Sequence, residues 1–171
     1  MSGFSVVPMT LAHLDQVLEV ERLSFSSPWS RFAFQTELKQ NQYALYLVGK
    51  YQERVVAYAG TWIVLGEAHI TNIAIHPAWR GRGFGHQLLR GLLAAAKERG
   101  ANRATLEVRT GNKVAQALYL KHGFKFCGLR RGYYTDTGED ALIMWKDDLS
   151  DSQLPLPLEP AKPTDTEGVV D

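Results

Sequence analysis

Arg80-Gly81-Arg82-Gly83-Phe84-Gly85-His86 is the stretch on which the reading of this chain turns. Before it runs an apolar, β-branched segment, Ala68–Ile75, ended by Pro77, which has no N–H to donate to a sheet ladder. After it, Leu88, Leu89, Leu92, Leu93 and Ala96 fall on one side of a helix. Glycine lets the backbone take positive φ and lets a ligand come close. The first turn of the helix leaves amide N–H groups without intrahelical partners, and the helix dipole adds positive charge there. A strand–turn–helix of this kind is an anion site suited to phosphates. Arg80 and Arg82 add cations beside it. The plain alternative is a structural glycine turn.

Two familiar phosphate cradles fit poorly. No Gly-x-x-x-x-Gly-Lys-Ser/Thr run exists, so this is not a P-loop. The dinucleotide fingerprint Gly-x-Gly-x-x-Gly is met at Gly81 and Gly83, with Glu107 near the acidic position. His86 takes the third glycine position, however, and too little chain follows to complete that fold. The pattern Arg/Gln-x-x-Gly-x-Gly/Ala fits at Arg80–Gly85.

Working outward, Phe4–Val7 reads as a first strand. Thr10 can cap a helix carrying Leu11, Leu14, Val17 and Leu18, and Ser30 a second helix to about Lys39. Tyr43–Val48 and Val55–Leu65 read as a hairpin around a turn near Lys50–Glu53. Gly100 stops the central helix. Ala104–Arg109 is a strand with Leu106 and Val108 on one face and Thr105, Glu107 and Arg109 on the other. Asn112 starts a short helix that Gly123 ends. Phe124–Leu129 and Ala141–Trp145 form a last hairpin, joined by Arg130–Asp140. The tail after Leu149 has no hydrophobic period and is expected to be disordered.

The bulk numbers set limits. The chain has 171 residues, which suits one domain, and 45% hydrophobic against 22% charged residues is the balance of a soluble globular protein. The net charge of +1 gives no global basic excess, so direct nucleic-acid binding is not expected. The single cysteine, Cys127, precludes an internal disulfide and reads as a small core residue. The start of the chain has no leader pattern, and no apolar run would span a membrane. A cytoplasmic setting is the expectation. His69, His76 and His122 lack metal spacing and read as structural or surface residues, so no metal is expected.

Several strings in order strengthen the glycine turn: Ser27-Pro28-Trp29-Ser30, Asn72-Ile73-Ala74-Ile75, Leu106-Glu107-Val108-Arg109, and Asn112 with Ala117-Leu118-Tyr119. His122-Gly123-Phe124, Arg130-Arg131-Gly132-Tyr133-Tyr134 and Gly138-Glu139-Asp140-Ala141 follow. Through them the chain, from about Phe4 to Leu149, resembles the GNAT superfamily of N-acetyltransferases. Within it the chain is most similar to the RimI group, the ribosomal-protein-alanine N-acetyltransferases. The resemblance implies an α/β fold of the GNAT acyl-CoA N-acyltransferase type. Its mixed, twisted sheet of about seven strands has helices on both faces and parts between Ala68–Ile75 and Ala104–Arg109. Residues 1–149 would form this domain and 150–171 the tail.

The resemblance also implies roles. Acetyl-CoA is the co-substrate. Ile73, Ala74 and Ile75 offer backbone groups to its pantetheine arm, and Gly81, Arg82, Gly83, Phe84, Gly85 and His86 hold its phosphates. Asn112 contacts it. Glu107 is the general base and Tyr119 the general acid. Pro28, Trp29, Tyr133 and Tyr134 shape a slot for the acceptor peptide, and Glu139 and Asp140 would attract a basic one. From the residues alone other readings stand: Glu107 paired with Arg109 on a solvated strand, Tyr119 as a packed helical aromatic, and the loop aromatics as plain packing. The expected partner is a protein N-terminus, the alanine of the eighteenth small-subunit ribosomal protein. The alternatives are broader N-termini, a lysine, a small amine, or a non-catalytic acyl-CoA sensor.

Overall fold

The computed structural model describes residues 3–152. Seven strands form one sheet in the order β1-β2-β3-β4-β5-β7-β6. In chain order these are β1 (Phe4–Pro8), β2 (Ala44–Tyr51), β3 (Arg54–Val64), β4 (Glu67–Ile75), β5 (Arg103–Arg109), β6 (Lys125–Tyr134) and β7 (Glu139–Lys146). The helices are α1 (Leu14–Ser24), α2 (Arg31–Gln40), α3 (Phe84–Glu98) and α4 (Lys113–Lys121). Every neighbouring pair of strands is antiparallel except β4 and β5, which are parallel. A parallel pair needs a crossover, and α3 supplies it.

Two apolar layers fix the sheet. On one face Leu88, Leu89 and Leu92 of α3 pack fully buried against Val56, Ala68, Ala104 and Leu106. Burying each such leucine contributes on the order of 2–3 kcal/mol. On the other face Leu14, Val17 and Val20 of α1 and Phe34 of α2 cover Val48, Val55 and Tyr58. Thr10 caps a short 3₁₀ turn (Leu11–His13) that runs into α1, and the Ser30 hydroxyl accepts the Ala33 N–H at the start of α2. Phe4 stacks on Phe84 at 4.1 Å, tying the first strand to the first turn of α3.

Two expectations are corrected. Cys127 is exposed, not in the core. It lies on β6, the outermost strand, whose face at that point no helix covers. The last hairpin is longer than the sequence suggested, because β6 continues through Arg130–Tyr134 across a register shift. Gly132, at φ 60°, lets the strand bulge there rather than end. The connection is then only 135–138. Of the tail, residues 153–171 lie outside the described residues, while Leu149 is buried and closes the domain.

Candidate active site

β4 and β5 share only three residue pairs, Glu67 with Arg103, Ala68 with Ala104 and His69 with Thr105. Beyond His69 they part. The cause lies on the other side of β4: opposite β3, Gly60 pairs with Asn72 and Thr61 with Ile70, leaving Thr71 as an extra residue. Such a bulge bends and twists its strand. The bend opens a cleft of about 380 Å³ lined by Ile70–Ile75 on one side and Leu106–Arg109 on the other. Asn112, Tyr119 and Tyr134 also line it. Thr71 Oγ1 and Asn72 Oδ1 are buried here without a hydrogen-bond partner. Orphaned polar atoms beside a parted sheet suit an extended polar ligand such as a pantetheine arm.

Beside the cleft stands the glycine turn, with Arg80 and Gly85 on the lining. Gly81 and Gly83 both take left-handed φ, 82° and 79°, and Gly83 is the residue that caps α3. Gly85 lines the cleft, so the first turn of α3 faces it. The side chains of the neighbouring residues are engaged elsewhere. Phe84 is buried in the core, and Arg82 stacks over the Trp79 ring at 4.7 Å. His86 Nδ1 lies 3.0 Å from His122 Nε2. Arg80 Nε donates to the Ile75 carbonyl at 2.9 Å, tying the turn to the end of β4. A phosphate here would therefore be met chiefly by backbone N–H groups. The Asn112 side chain accepts the Ala115 N–H at 3.1 Å, capping α4, while the residue stays on the cleft wall.

Glu107 points to the face opposite α3, with its side chain only 10% exposed. Its partner is not Arg109. Oε1 lies 2.6 Å from His69 Nε2, and Oε2 accepts from Arg130 Nε at 3.3 Å. The His69 hydrogen bond above all, then the charges of His69 and Arg130, hold the carboxyl below the usual glutamate range against the opposing effect of burial. Glu107 is thus ionised at neutral pH. Tyr119 packs on Phe124 but keeps its place on the cleft wall. Among the described residues its hydroxyl has no hydrogen-bond partner. Burial pushes its pKa up, so it holds its proton.

A second cavity, of about 400 Å³, adjoins the first, and Phe25, Asn72, Arg109 and Tyr134 line both. Trp29 and Tyr133 lie on its walls, whereas Pro28 lines neither cavity. The Trp29 ring also packs on Phe34, 5.3 Å away, so it is partly core. Tyr134 lies under the Arg109 guanidinium at 4.0 Å. Arg109 in turn holds Asp136 at 2.9 Å and Glu139 at 3.4 Å, and Asp136 accepts from Ser26 at 3.1 Å. This network ties the α1–α2 loop to the last hairpin and shapes the slot.

Glu139 and Asp140 are both engaged within the fold. Glu139 Oε2 accepts the Gly111 N–H at 2.8 Å, and Asp140 Oδ1 accepts the Gly132 N–H at 2.8 Å, so both are spent on turns. The sequence reading missed His69, Arg130 and Arg109. Only strand register and the twist of the last hairpin bring them to the site, and no local pattern signals that. Among the described residues no cluster of His, Cys, Asp or Glu could hold a metal, and no helix is long and apolar enough to cross a membrane.

Residues 14–124 match the Acetyltransferase (GNAT) family. A Bacillus subtilis (strain 168) protein, itself a candidate [ribosomal protein bS18]-alanine N-acetyltransferase, is 49% identical over 137 residues, covering 80% of this chain and 91% of that protein. The [ribosomal protein bS18]-alanine N-acetyltransferase of Escherichia coli (strain K12) is 37% identical over 135 residues, covering 77% and 88%. The crystal structure of the ribosomal-protein-S18-alanine N-acetyltransferase from Escherichia coli superposes with a TM-score of 0.75 at 32% identity, over 93% of this chain and 96% of that one.

Proposed function

The chain belongs to the GNAT family of acetyltransferases, and from that premise we propose that it moves the acetyl group of acetyl-CoA onto a protein's N-terminal alanine. The acceptor is the eighteenth protein of the small ribosomal subunit, as the names of its relatives suggest. One observation carries this reading: Glu107 and Tyr119 line the same parted-strand cleft, which joins an aromatic-walled slot. The pantetheine arm runs along Ile73–Ile75, the diphosphate rests on the Gly81–Gly85 turn, and the peptide enters past Trp29, Tyr133 and Tyr134.

The amine must attack without its extra proton. At pH 7 about a tenth of α-amines are already neutral, whereas about one lysine in 2,500 is. The site therefore suits an N-terminus, which needs little help. Glu107, held ionised and weakly basic, is a poor base for the ground-state ammonium. It becomes competent as the C–N bond forms and the nitrogen turns acidic, directly or through a water. A backbone N–H of the Ile73–Ile75 segment stabilises the developing oxyanion. Tyr119, kept protonated by its burial, donates to the departing thiolate, whose pKa is near 8.5 by analogy with cysteine. Holding the two substrates together supplies much of the rate.

The test is acetyl-CoA consumption with basic peptides that differ in their first residue. Ala-led peptides are expected to exceed the others by about tenfold or more in kcat/KM, a difference of roughly 1.4 kcal/mol. Equal turnover across all peptides would overturn the substrate assignment and leave a broad N-terminal acetyltransferase. Cofactor binding without turnover would leave a sensor.

A further inference from the structure

Glu21 is a carboxylate that the reaction scheme leaves without a task. It sits on α1, is 2% exposed, and lies on the inner wall of the slot. Trp29 N–H donates to its Oε2 at 2.9 Å, and the Tyr58 hydroxyl donates to its Oε1. Burial first, and then the neighbouring carboxylate, push the Tyr58 pKa well up, so this hydroxyl remains a donor. No Lys, Arg or His among the described residues forms an ion pair with Glu21. Arg109, on the same wall, is spent on Asp136 and Glu139.

A buried carboxylate with two neutral donors and no cation is costly unless something else completes it. Close by is a second buried acceptor. Asn72 Oδ1 is buried without a partner, and Asn72 lines both the slot and the cleft. The wall of the slot thus presents acceptors along the path by which a peptide reaches the cleft. We infer that Glu21, with Asn72 beside it, binds a protonated nitrogen of the incoming peptide, its α-ammonium or a basic side chain next to it. This rests on the reading of the slot as a peptide site. Glu21 is then a specificity residue: it draws in the positively charged end of the peptide before Glu107 acts.

The experiment measures peptide dissociation constants by calorimetry on the full chain with coenzyme A present. Three peptides are compared: an Ala-led basic peptide, its desamino counterpart, and an Ala-led version with Gln in place of the nearest basic residues. One charge-assisted hydrogen bond corresponds to about a tenfold difference. Wild type is expected to lose about that much for the desamino peptide if the α-ammonium is bound, or for the Gln peptide if a side chain is bound. In Glu21→Gln the preference should vanish while the acetyl-CoA KM holds. Should Glu21→Gln fail to fold, Tyr58→Phe keeps the carboxylate and should keep the preference, and the wild-type comparison stands alone. A wild type that binds all three peptides alike, or a folded Glu21→Gln that keeps the wild-type preference, overturns the inference. Turnover of the Ala-led peptide by wild type is a separate readout, and its absence would instead sink the functional reading.

Discussion

His69 Nε2 lies 2.6 Å from Glu107 Oε1, although the two residues are 38 apart in the chain. They meet because β4 and β5 run in register only as far as His69 and Thr105, and Glu107 stands two residues beyond that last pair. With Arg130 on the other oxygen, the carboxylate is held from both sides. His69→Leu releases one oxygen. It should lower kcat, by up to about 10²-fold if the carboxylate shifts by about 1 Å, with the acetyl-CoA KM unchanged. His69→Gln, which can still donate, should recover most of the loss. Steady-state kinetics on both variants checks this.

The lowered pKa of Glu107 also has a sign in stability. A carboxyl whose folded pKa lies below the unfolded value, near 4.3, stabilises the fold above that pH and loses the contribution as pH falls through the folded value. Glu107→Gln should therefore melt below wild type at pH 7, with the gap closing as pH falls below the unfolded value. Thermal melts across this range decide it. A gap independent of pH would mean that the contacts with His69 and Arg130 do not stabilise the fold.

His122 predicts the same direction by a different route. Burial above all, then the charges of His86, Arg90, Lys146 and Lys121, bring its pKa down to about 4. The folded state thus binds fewer protons than the unfolded chain, whose histidines titrate near 6.5. Stability is intact above about 6.5 and falls as pH drops toward 4. His122→Gln should flatten this slope, measured as the melting midpoint between pH 7 and 4.

Tyr119→Phe removes a hydroxyl with no partner among the described residues, so the ring packing on Phe124 survives. The variant should melt within a few degrees of wild type, yet lose about 10²-fold or more in kcat, the usual worth of a general acid. An unchanged rate would reduce Tyr119 to packing.

Gly83→Ala places a side chain at φ 79°. The strain costs roughly 1–2 kcal/mol, and the added methyl crowds the diphosphate. The acetyl-CoA KM should rise by about tenfold or more while the peptide KM holds. An unchanged acetyl-CoA KM would place the phosphates elsewhere.

Much of this was readable along the chain, and for a common reason. The glycine turn, its following helix and the alternation of Ala104–Arg109 are short-range features, set by backbone freedom and by side-chain periods of 3.6 and 2. The caps at Ser30 and Asn112 are local for the same reason. Even the candidate pair Glu107 and Tyr119 could be named, because both sit in short strings that a family repeats.

Only the tertiary structure decided what those residues touch. The bulge at Thr71 depends on how β4 registers against β3, and that register parts β4 from β5. Arg130 reaches Glu107 because β6 registers on β7 with Arg130 opposite Ala141, and β7 in turn on β5. Arg109 turns away from Glu107 to Asp136 and Glu139, and Cys127 faces outward because its strand ends the sheet. Local sequence fixes which conformations a segment prefers. Partners across a sheet are chosen by register and packing between segments far apart in the chain, and no short window of sequence holds that information.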